Sequence, residues 1–546
     1  MEEAGYTHTI PFLFAETLKR FGKRDAMAFV GEKPISYEAL SDKMLSVMAF
    51  LESNGIVPGD KVSILSTNMP NWGITYFAIA SMGAVVVPIL PDFSPVEVAN
   101  VINHSGAKAV FVSSSLLQKL EGIDAPDLKI QVLIDDFTLI GNSSQVTHNE
   151  TARPAKKYSV SETDLLSIIY TSGTTGKSKG VMLSHKNITF NAIRGGMIHH
   201  MDENDRFLSV LPLSHTYENT LGLIIPVLNG SSIFYLRKPP TPAVLLPALE
   251  EVRPTAMLTV PLIIEKIYFN KILPAFREKF IVRLLYKVAP FRKLLNRVAG
   301  KKLMKTFGGE IRFFGIGGAK LNKTVEKFLV EAKFPYAIGY GLTETSPILA
   351  GANPKETVYE STGPAIKDIQ LIIHNPDKVT GEGEIWAKGP NVMMGYYKEP
   401  EMTKEVLTPD GWFKTGDLGV LDKNNNLYIR GRLKNMIVGA SGENIYPEEI
   451  ESVINNFRHV VESLVIEKKG KLVALVHINM EELEKKYQHL KSEASKLDDK
   501  VEEMMKELKA YVNSRVNKFS QIKDVEHQPA PFQKTATQKI KRFLYK

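Results

Sequence analysis

The chain has 546 residues, 44% of them apolar, enough to bury large cores in more than one domain. It contains no cysteine, which excludes disulfides, thiolate metal sites and any covalent enzyme thioester; a thioester made here takes its thiol from a second substrate. The formal net charge of +8 is unevenly placed, because twelve Lys and Arg between Lys266 and Lys305 are opposed by Glu278 alone.

The N-terminus opens Met1-Glu2-Glu3 without an apolar run, which speaks against a secretory leader. Alternating strand-like and helix-like segments from about residue 35 to 350 predict parallel α/β layers. Lys61–Leu65 reads as a strand, Trp72 to Met82 as a helix, and Val85–Leu90 as the next strand. Asn71–Pro91 and Asn219–Leu236 carry no charge, yet each is interrupted by a glycine, Gly83 or Gly230, with β-branched residues beyond it. A glycine-capped helix feeding a buried strand accounts for both better than a membrane span. The expectation is a soluble cytoplasmic protein, or one peripheral on a membrane.

Leu165 to Tyr170 is an apolar run that reads as a buried strand, and Tyr170 to Gly180 follows as YTSGTTGKSKG. Glycines let backbone N–H groups turn toward an anion, hydroxyls add donors and lysines add charge, which is the chemistry of holding a polyphosphate. A flexible linker would need neither two lysines nor a leading strand. The string is not a Walker A loop, since the glycine required five places before Gly176 is Thr171.

Leu211-Pro212-Leu213-Ser214-His215-Thr216-Tyr217-Glu218 then places one histidine beside one acid, the only acidic residue from Phe207 to Pro239. In the basic segment 266–305, Phe280, Ile281, Leu284, Leu285, Val288, Phe291, Leu294, Leu295, Val298 and Leu303 fall close to helical spacing. That pattern suits an anionic membrane surface, or equally a solvated helical face with ordinary core contacts. Nucleic acid is not expected, because no groove-reading motif or aromatic platform accompanies the charge.

Gly315-Ile316-Gly317-Gly318-Ala319 follows Arg312-Phe313-Phe314, and Gly339-Tyr340-Gly341-Leu342-Thr343-Glu344 follows the strand-like Pro335–Ile338. The second string offers a tyrosine plane for a purine, a hydroxyl for phosphate and a carboxylate for a hard cation. From Gly363 to Arg430 short strands with turn residues predict a small β subdomain. Gly411-Trp412-Phe413-Lys414-Thr415-Gly416-Asp417 within it ends in a carboxylate that can accept from paired hydroxyls, and Tyr428-Ile429-Arg430-Gly431-Arg432 at its end adds a charged donor. A charged helical run, Glu481 to Asn517, and a basic tail close the chain.

Taken in order, these strings resemble the motifs of adenylate-forming enzymes, the superfamily of acyl-CoA synthetases, luciferases and amino-acid adenylation domains, over about residues 12–546. The resemblance implies an α/β fold: a large N-terminal domain (1–433) of layered α/β subdomains with a small β-barrel-like subdomain, and a small mobile α+β C-terminal domain (434–546). It implies that Thr171, Ser172, Gly173, Thr174, Thr175, Gly176 and Lys179 hold the ATP phosphates, with Lys179 preferred to Lys177. Gly317, Gly318, Ala319, Gly339, Tyr340, Gly341 and Thr343 then surround the nucleotide, Glu344 holds Mg²⁺, and Asp417 with Arg432 holds the ribose. His215, Tyr217, Gly315 and Gly317 are implied to wall the acyl pocket, with His215 orienting the substrate carboxylate.

Lys434 is the implied hinge of the small domain, and Ser441, Gly442 and Glu443 the implied lining of a coenzyme A channel. The tail Lys534-Thr535-Ala536-Thr537-Gln538-Lys539-Ile540-Lys541-Arg542 resembles the superfamily's T-x-x-G-K-I-x-R, which makes Lys539 the implied catalytic lysine and Lys534 and Lys541 its rivals. Asn435, Gln538 and Leu262 depart from the usual acidic residue, glycine and arginine. The spacing from Pro254 through Tyr268 and the basic insert is most similar to long-chain fatty acyl-CoA synthetases. The chain stops seven residues after Lys539, which favours free coenzyme A over a fused carrier domain. The expected reaction is ATP-dependent activation of a fatty acid to its acyl-adenylate, then transfer to coenzyme A. The alternatives are an aryl or medium-chain acid, or a separate acyl carrier protein as acceptor.

Overall fold

The computed structural model describes residues 7–141, 152–172, 178–438, 444–480, 483–484, 494–535 and 540–545. Two eight-stranded sheets form its frame. In the first, the strands Tyr336–Gly341, Phe313–Ile316, Ala256–Thr259, Arg206–Ser209, Ser232–Tyr235 and Asp25–Phe29 run parallel in that order, with antiparallel strands at both edges. In the second, Leu165–Ser172, Val85–Ile89, Lys61–Leu65, Ala107–Val112 and Ile130–Leu133 are the parallel strands. Side chains alternate across each sheet, as the two-residue period of a strand demands. Val86 enters the central core while Val85 and Val87 face an outer one; Ala256 and Leu258 face the centre while Met257 faces out.

Between the sheets lies Pro70–Ser81, a helix whose residues from Trp72 to Ser81 are all buried. A helix buried on every side carries no polar stripe, and this one holds no charge. Gly83 follows with φ of +70° and the chain enters Val85–Ile89. The second charge-free stretch also runs as a helix into a strand: Gly230 at φ +71° precedes Ser232–Tyr235, and a Cβ there would sit 2.4 Å from the Phe21 ring. Among the described residues no helix is long and apolar enough to cross a membrane.

The β-rich section forms a four-stranded antiparallel sheet of Gln370–His374, Gly383–Lys388, Phe413–Leu421 and Leu427–Arg432. Beyond it a separate core gathers around the sheet Val460–Lys468, Lys471–Ile478 and Asp524–His527, covered by the helices Pro447–Ile454 and Ala494–Asn513. The charged run expected from Glu481 is helical over Ala494–Asn513.

Candidate active site

In the first sheet the parallel strands release their following segments at one shared carboxyl edge, the usual place for a ligand in such sheets. Arg206–Ser209 leads to 211–218, Phe313–Ile316 to 317–319, and Tyr336–Gly341 to the 3₁₀ turn Thr343–Thr345. Three of the segments singled out in the sequence therefore share one edge, Phe313–Ile316 and Tyr336–Gly341 being adjacent strands and Arg206–Ser209 lying one strand further on, beyond Ala256–Thr259. Leu211–Ser214 is also tied to the second sheet: Asn68 donates to Ser209 Oγ (3.0 Å) and the Leu211 carbonyl (2.6 Å), and accepts from the Leu213 N–H (2.9 Å).

The phosphate-loop candidate is flanked by two antiparallel strands, Leu165–Ser172 and Ser178–Ser184, with Thr171 opposite Lys179. Gly173, Thr174, Thr175 and Gly176, with Lys177, lie outside the described residues, as does the Ser172 side chain. Lys179 Nζ lies 3.0 Å from Glu344 Oε1 and 4.1 Å from the centre of the Tyr396 ring. The Tyr396 hydroxyl donates to the same carboxylate oxygen (2.8 Å) and accepts from Lys179 (2.5 Å). Burial alone would push the Glu344 carboxyl up, but the adjacent Lys179 charge and these hydrogen bonds outweigh it and hold it below the usual range. Tyr396 was not anticipated from the sequence. It arrives because Gly395–Tyr396 adds a short strand beside Val181 and Met182, and no local periodicity marks a two-residue strand.

The turn bearing Thr343 and Glu344 is held from behind by two buried amides that sequence reading also missed. Asn191 donates to the Ile348 carbonyl (2.8 Å) and Asn391 to that of Thr345 (2.8 Å), while the Met393 N–H donates to the Glu344 carbonyl (2.9 Å). Gly341 is required by close approach, since a Cβ would fall 1.8 Å from the Pro347 carbonyl oxygen.

Asp417 and Arg432 face each other across neighbouring strands, with Arg432 Nε 2.9 Å from Asp417 Oδ1. The Tyr340 hydroxyl donates to the other oxygen, Oδ2, at 2.8 Å. The carboxylate is buried and the guanidinium half exposed, so the pair is open on the arginine side. Asp417, with a smaller contribution from Glu344, raises the Arg432 pKa, and Arg432 in turn acts on the Tyr396 phenol. The ribose and phosphate candidates thus belong to one electrostatic site.

Tyr217 lies across the glycine strand. A Cβ on Gly317 would sit 2.9 Å from its ring, and one on Gly315 3.3 Å from its hydroxyl. Gly318 adopts φ of +82°, a left-handed conformation that suits glycine, and leads into Ala319. His215 precedes Tyr217 as the N-cap of Thr216–Glu218. Glu218 points into the protein: Ser209 Oγ donates to its Oε1 (2.6 Å), and burial pushes its carboxyl up to about 8.

Lys434 stands in the exposed 3₁₀ turn Leu433–Asn435. Ser441, Gly442 and Glu443 lie outside the described residues, as does Lys539. Of the rival lysines, Lys534 pairs with Glu462 in the C-terminal region. The tail is further anchored there by Arg542 on Glu451. The helix Pro447–Ile454 reaches the glycine-strand segment through Lys320 to Glu449 (3.0 Å), and Asn322 donates to Asn456 Oδ1 (2.7 Å) just beyond it. Asn435 donates to Glu448 (2.6 Å).

A Mg²⁺ ion suits this donor set, because it is ordinarily held by one or two carboxylates plus substrate phosphates and water. Glu344 supplies one carboxylate, and among the described residues no group of three or more His, Cys, Asp or Glu forms a dedicated metal cage.

Comparison with known proteins agrees with this geometry. The chain is 30% identical over 468 residues to the peroxisomal long chain acyl-CoA synthetase 6 of Arabidopsis thaliana, covering 79% of this chain and 66% of that protein. It is 29% identical to long chain acyl-CoA synthetase 1 of the same plant, over 91% of this chain and 83% of the relative. In structure it resembles the o-succinylbenzoate CoA synthetase of Bacillus subtilis bound to its acyl-adenylate, with a TM-score of 0.77 at 22% identity over 98% of this chain and 97% of that one. The family model for AMP-binding enzymes matches residues 14–397. The strands and turns that bring Lys179, Glu344 and Tyr396 together all fall inside that span, and the chain belongs to the AMP-binding enzyme family.

Proposed function

We propose that this chain joins a fatty acid, of long chain length, to coenzyme A in two steps within one site. The acid's carboxylate oxygen attacks the α-phosphorus of ATP, the bond to the β-phosphate breaks, and pyrophosphate leaves with the acyl-adenylate behind. The thiol sulfur of coenzyme A then attacks the acyl carbonyl, expelling AMP. The absence of cysteine agrees with a thiol brought by a second substrate.

The observation that carries this reading is the convergence of the Lys179–Glu344–Tyr396 cluster with the Tyr340–Asp417–Arg432 cluster, brought from three sheets and coupled through Arg432. A carboxylate attacking a polyphosphate brings anion to anion, so cations fixed before reaction lower the barrier without reorganising. Lys179 and the phosphate-loop hydroxyls take the β- and γ-phosphates, and Arg432 and Asp417 the ribose side. Glu344 would hold Mg²⁺, which supplies charge neutralisation on the phosphates when bound. His215 and Lys539 position the attacking carboxylate against Tyr217, Gly315 and Gly317.

For the second step the C-terminal part, from Lys434 on, turns about that hinge. Lys539 withdraws, and Ser441, Gly442 and Glu443 line the entry of the thiol. The long-chain assignment is supported by the names of the relatives above, and an aryl acid by the structural neighbour, which carries an o-succinylbenzoyl adenylate.

Pyrophosphate release across a panel of acids, with and without coenzyme A, tests the proposal. Release that needs a long-chain acid and turns over with coenzyme A supports it. Preference for benzoates would move the assignment to aryl acids. Activity with no acid at all would overturn it.

A further inference from the structure

Within the basic segment 266–305 Tyr268, Phe276 and Leu303 are buried, whereas most of the apolar side chains from Phe280 to Val298 lie at the surface. The helix Phe280–Tyr286 buries none of its residues, and Ala289–Thr306 follows it. Phe280, Ile281, Leu284, Val288, Phe291, Leu294 and Val298 are all between 47% and 70% exposed. These are seven of the twenty-four exposed large apolar side chains found among the described residues, whereas most of the rest are scattered singly or in sequence pairs. Scattered ones need no explanation, but a concentration like this marks a surface that is covered in use.

The surface is built rather than loose. On its inner side the helix Ala289–Thr306 is fastened by Arg292 to Glu331 (2.8 Å) and by Asn296 to Glu331 (2.7 Å). Gly300 packs where a Cβ would sit 2.8 Å from that of Ala332, and Leu303 is buried on the same side. Phe291, Leu294 and Val298, spaced three and four apart, occupy the opposite stripe. Continuing along that stripe toward the C-terminus brings Lys301, Lys302 and Lys305 to the same side. On the preceding helix Phe280, Ile281 and Leu284 share one side, flanked by Lys279, Arg283 and Lys287.

We propose that this two-helix face docks on an anionic lipid bilayer, with the apolar side chains inserted at the headgroup boundary and the lysines and arginines on the acidic headgroups. Charge complementarity selects this occupant. From Lys279 to Lys305 nine basic residues and no acidic one are interleaved with the large apolar ones, and apart from Arg292, which turns inward to Glu331, they match a surface that is negative outside and apolar just beneath. A second copy of the chain would bring the same positive face and repel it. The inference is independent of which acid the site activates, because docking is read without turnover.

Flotation of the full chain with vesicles tests it. Binding to vesicles of phosphatidylcholine with phosphatidylglycerol should exceed binding to phosphatidylcholine alone by at least about tenfold, and should weaken as salt screens the charges. Two triple variants separate the contributions: Phe280→Ser with Leu284→Ser and Leu294→Ser, and Lys287→Glu with Lys301→Glu and Lys305→Glu. Each should lose at least about tenfold in binding while keeping the wild-type melting temperature. Equal binding of wild type to neutral and anionic vesicles, or no binding, overturns the proposal. So does sedimentation showing a dimer that only the serine variant dissolves, with no vesicle binding, since that assigns the face to a second copy.

Discussion

Lys179 and Glu344 come from different sheets, 165 positions apart, and meet at 3.0 Å with the Tyr396 hydroxyl on the same carboxylate oxygen. Each lowers the cost of burying the other, and each is also a group a nucleotide triphosphate with its metal would use. Under the proposed function a structural and a catalytic role coincide in one pair. Lys179→Met should leave a buried carboxylate without its counter-charge, at a cost of about 3 kcal/mol in urea unfolding. Pyrophosphate release should fall by roughly 10²–10³. Adding Glu344→Gln to Lys179→Met should restore most of the stability and none of the activity. If activity returned with stability, the pair would be structural only.

The same pair predicts an acid limb. Glu344 has a lowered folded-state pKa, so its contribution is present above the ordinary value of 4.5 and is lost as pH falls through the folded value beneath it. Urea midpoints from pH 6 downward should drop more steeply in the wild type than in Glu344→Gln.

Glu218 predicts the opposite slope. Its folded-state pKa is raised to about 8 from 4.5, so across that window the folded chain keeps a proton that the unfolded chain has released. Stability accordingly declines with rising pH, by up to roughly 1.4 kcal/mol per pH unit. Glu218→Gln keeps an acceptor for Ser209 and cannot ionise, and should flatten that decline between pH 5 and 8. An unchanged slope would mean that Glu218 titrates near its ordinary value.

Tyr340 and Arg432 hold the two oxygens of Asp417, which orients the carboxylate for the ribose contact proposed above. Tyr340→Phe removes one charge-assisted hydrogen bond and should raise the KM for ATP about tenfold with a smaller change in kcat. Asp417→Ala should do more, on the order of a hundredfold in kcat/KM. A Tyr340→Phe enzyme with wild-type KM would show that the phenol does not set the carboxylate's position.

Lys539→Ala should suppress adenylate formation by roughly 10²–10³ and spare thioester formation from supplied acyl-adenylate. Comparable losses in both half-reactions would contradict a lysine that serves only the first. Lys534→Ala is the matched control, since Lys534 is engaged with Glu462.

Much of the architecture is readable locally. The charge-free Asn71–Pro91 stretch became a buried helix, a left-handed glycine and a buried strand, because burial on all sides and the glycine turn are both short-range properties. Gly341 was visible as a glycine, while its reason, the Pro347 carbonyl 1.8 Å from where a Cβ would be, needed the folded turn. Tyr396, Asn391, Asn191 and Asn68 carry no motif. They matter only through partners far away in the chain, and nothing in their immediate neighbours announces that.

The amino-acid sequence by itself determined the kinds of chemistry available. It holds a hydroxyl- and glycine-rich loop with lysines, a Tyr-Gly-Leu-Thr-Glu string, the Asp417 and Arg432 strings, a lysine-bearing tail and no thiol. Those are composition and spacing, which a linear string preserves. Only the tertiary structure decided which groups act on one another. It placed Lys179 on Glu344, divided Asp417 between Tyr340 and Arg432, turned Glu218 inward, and left the 280–298 face without a core to cover it. The reason is geometric: parallel strands deliver their carboxyl ends to one edge whatever their separation in sequence, so the neighbours across a site are set by sheet order and register.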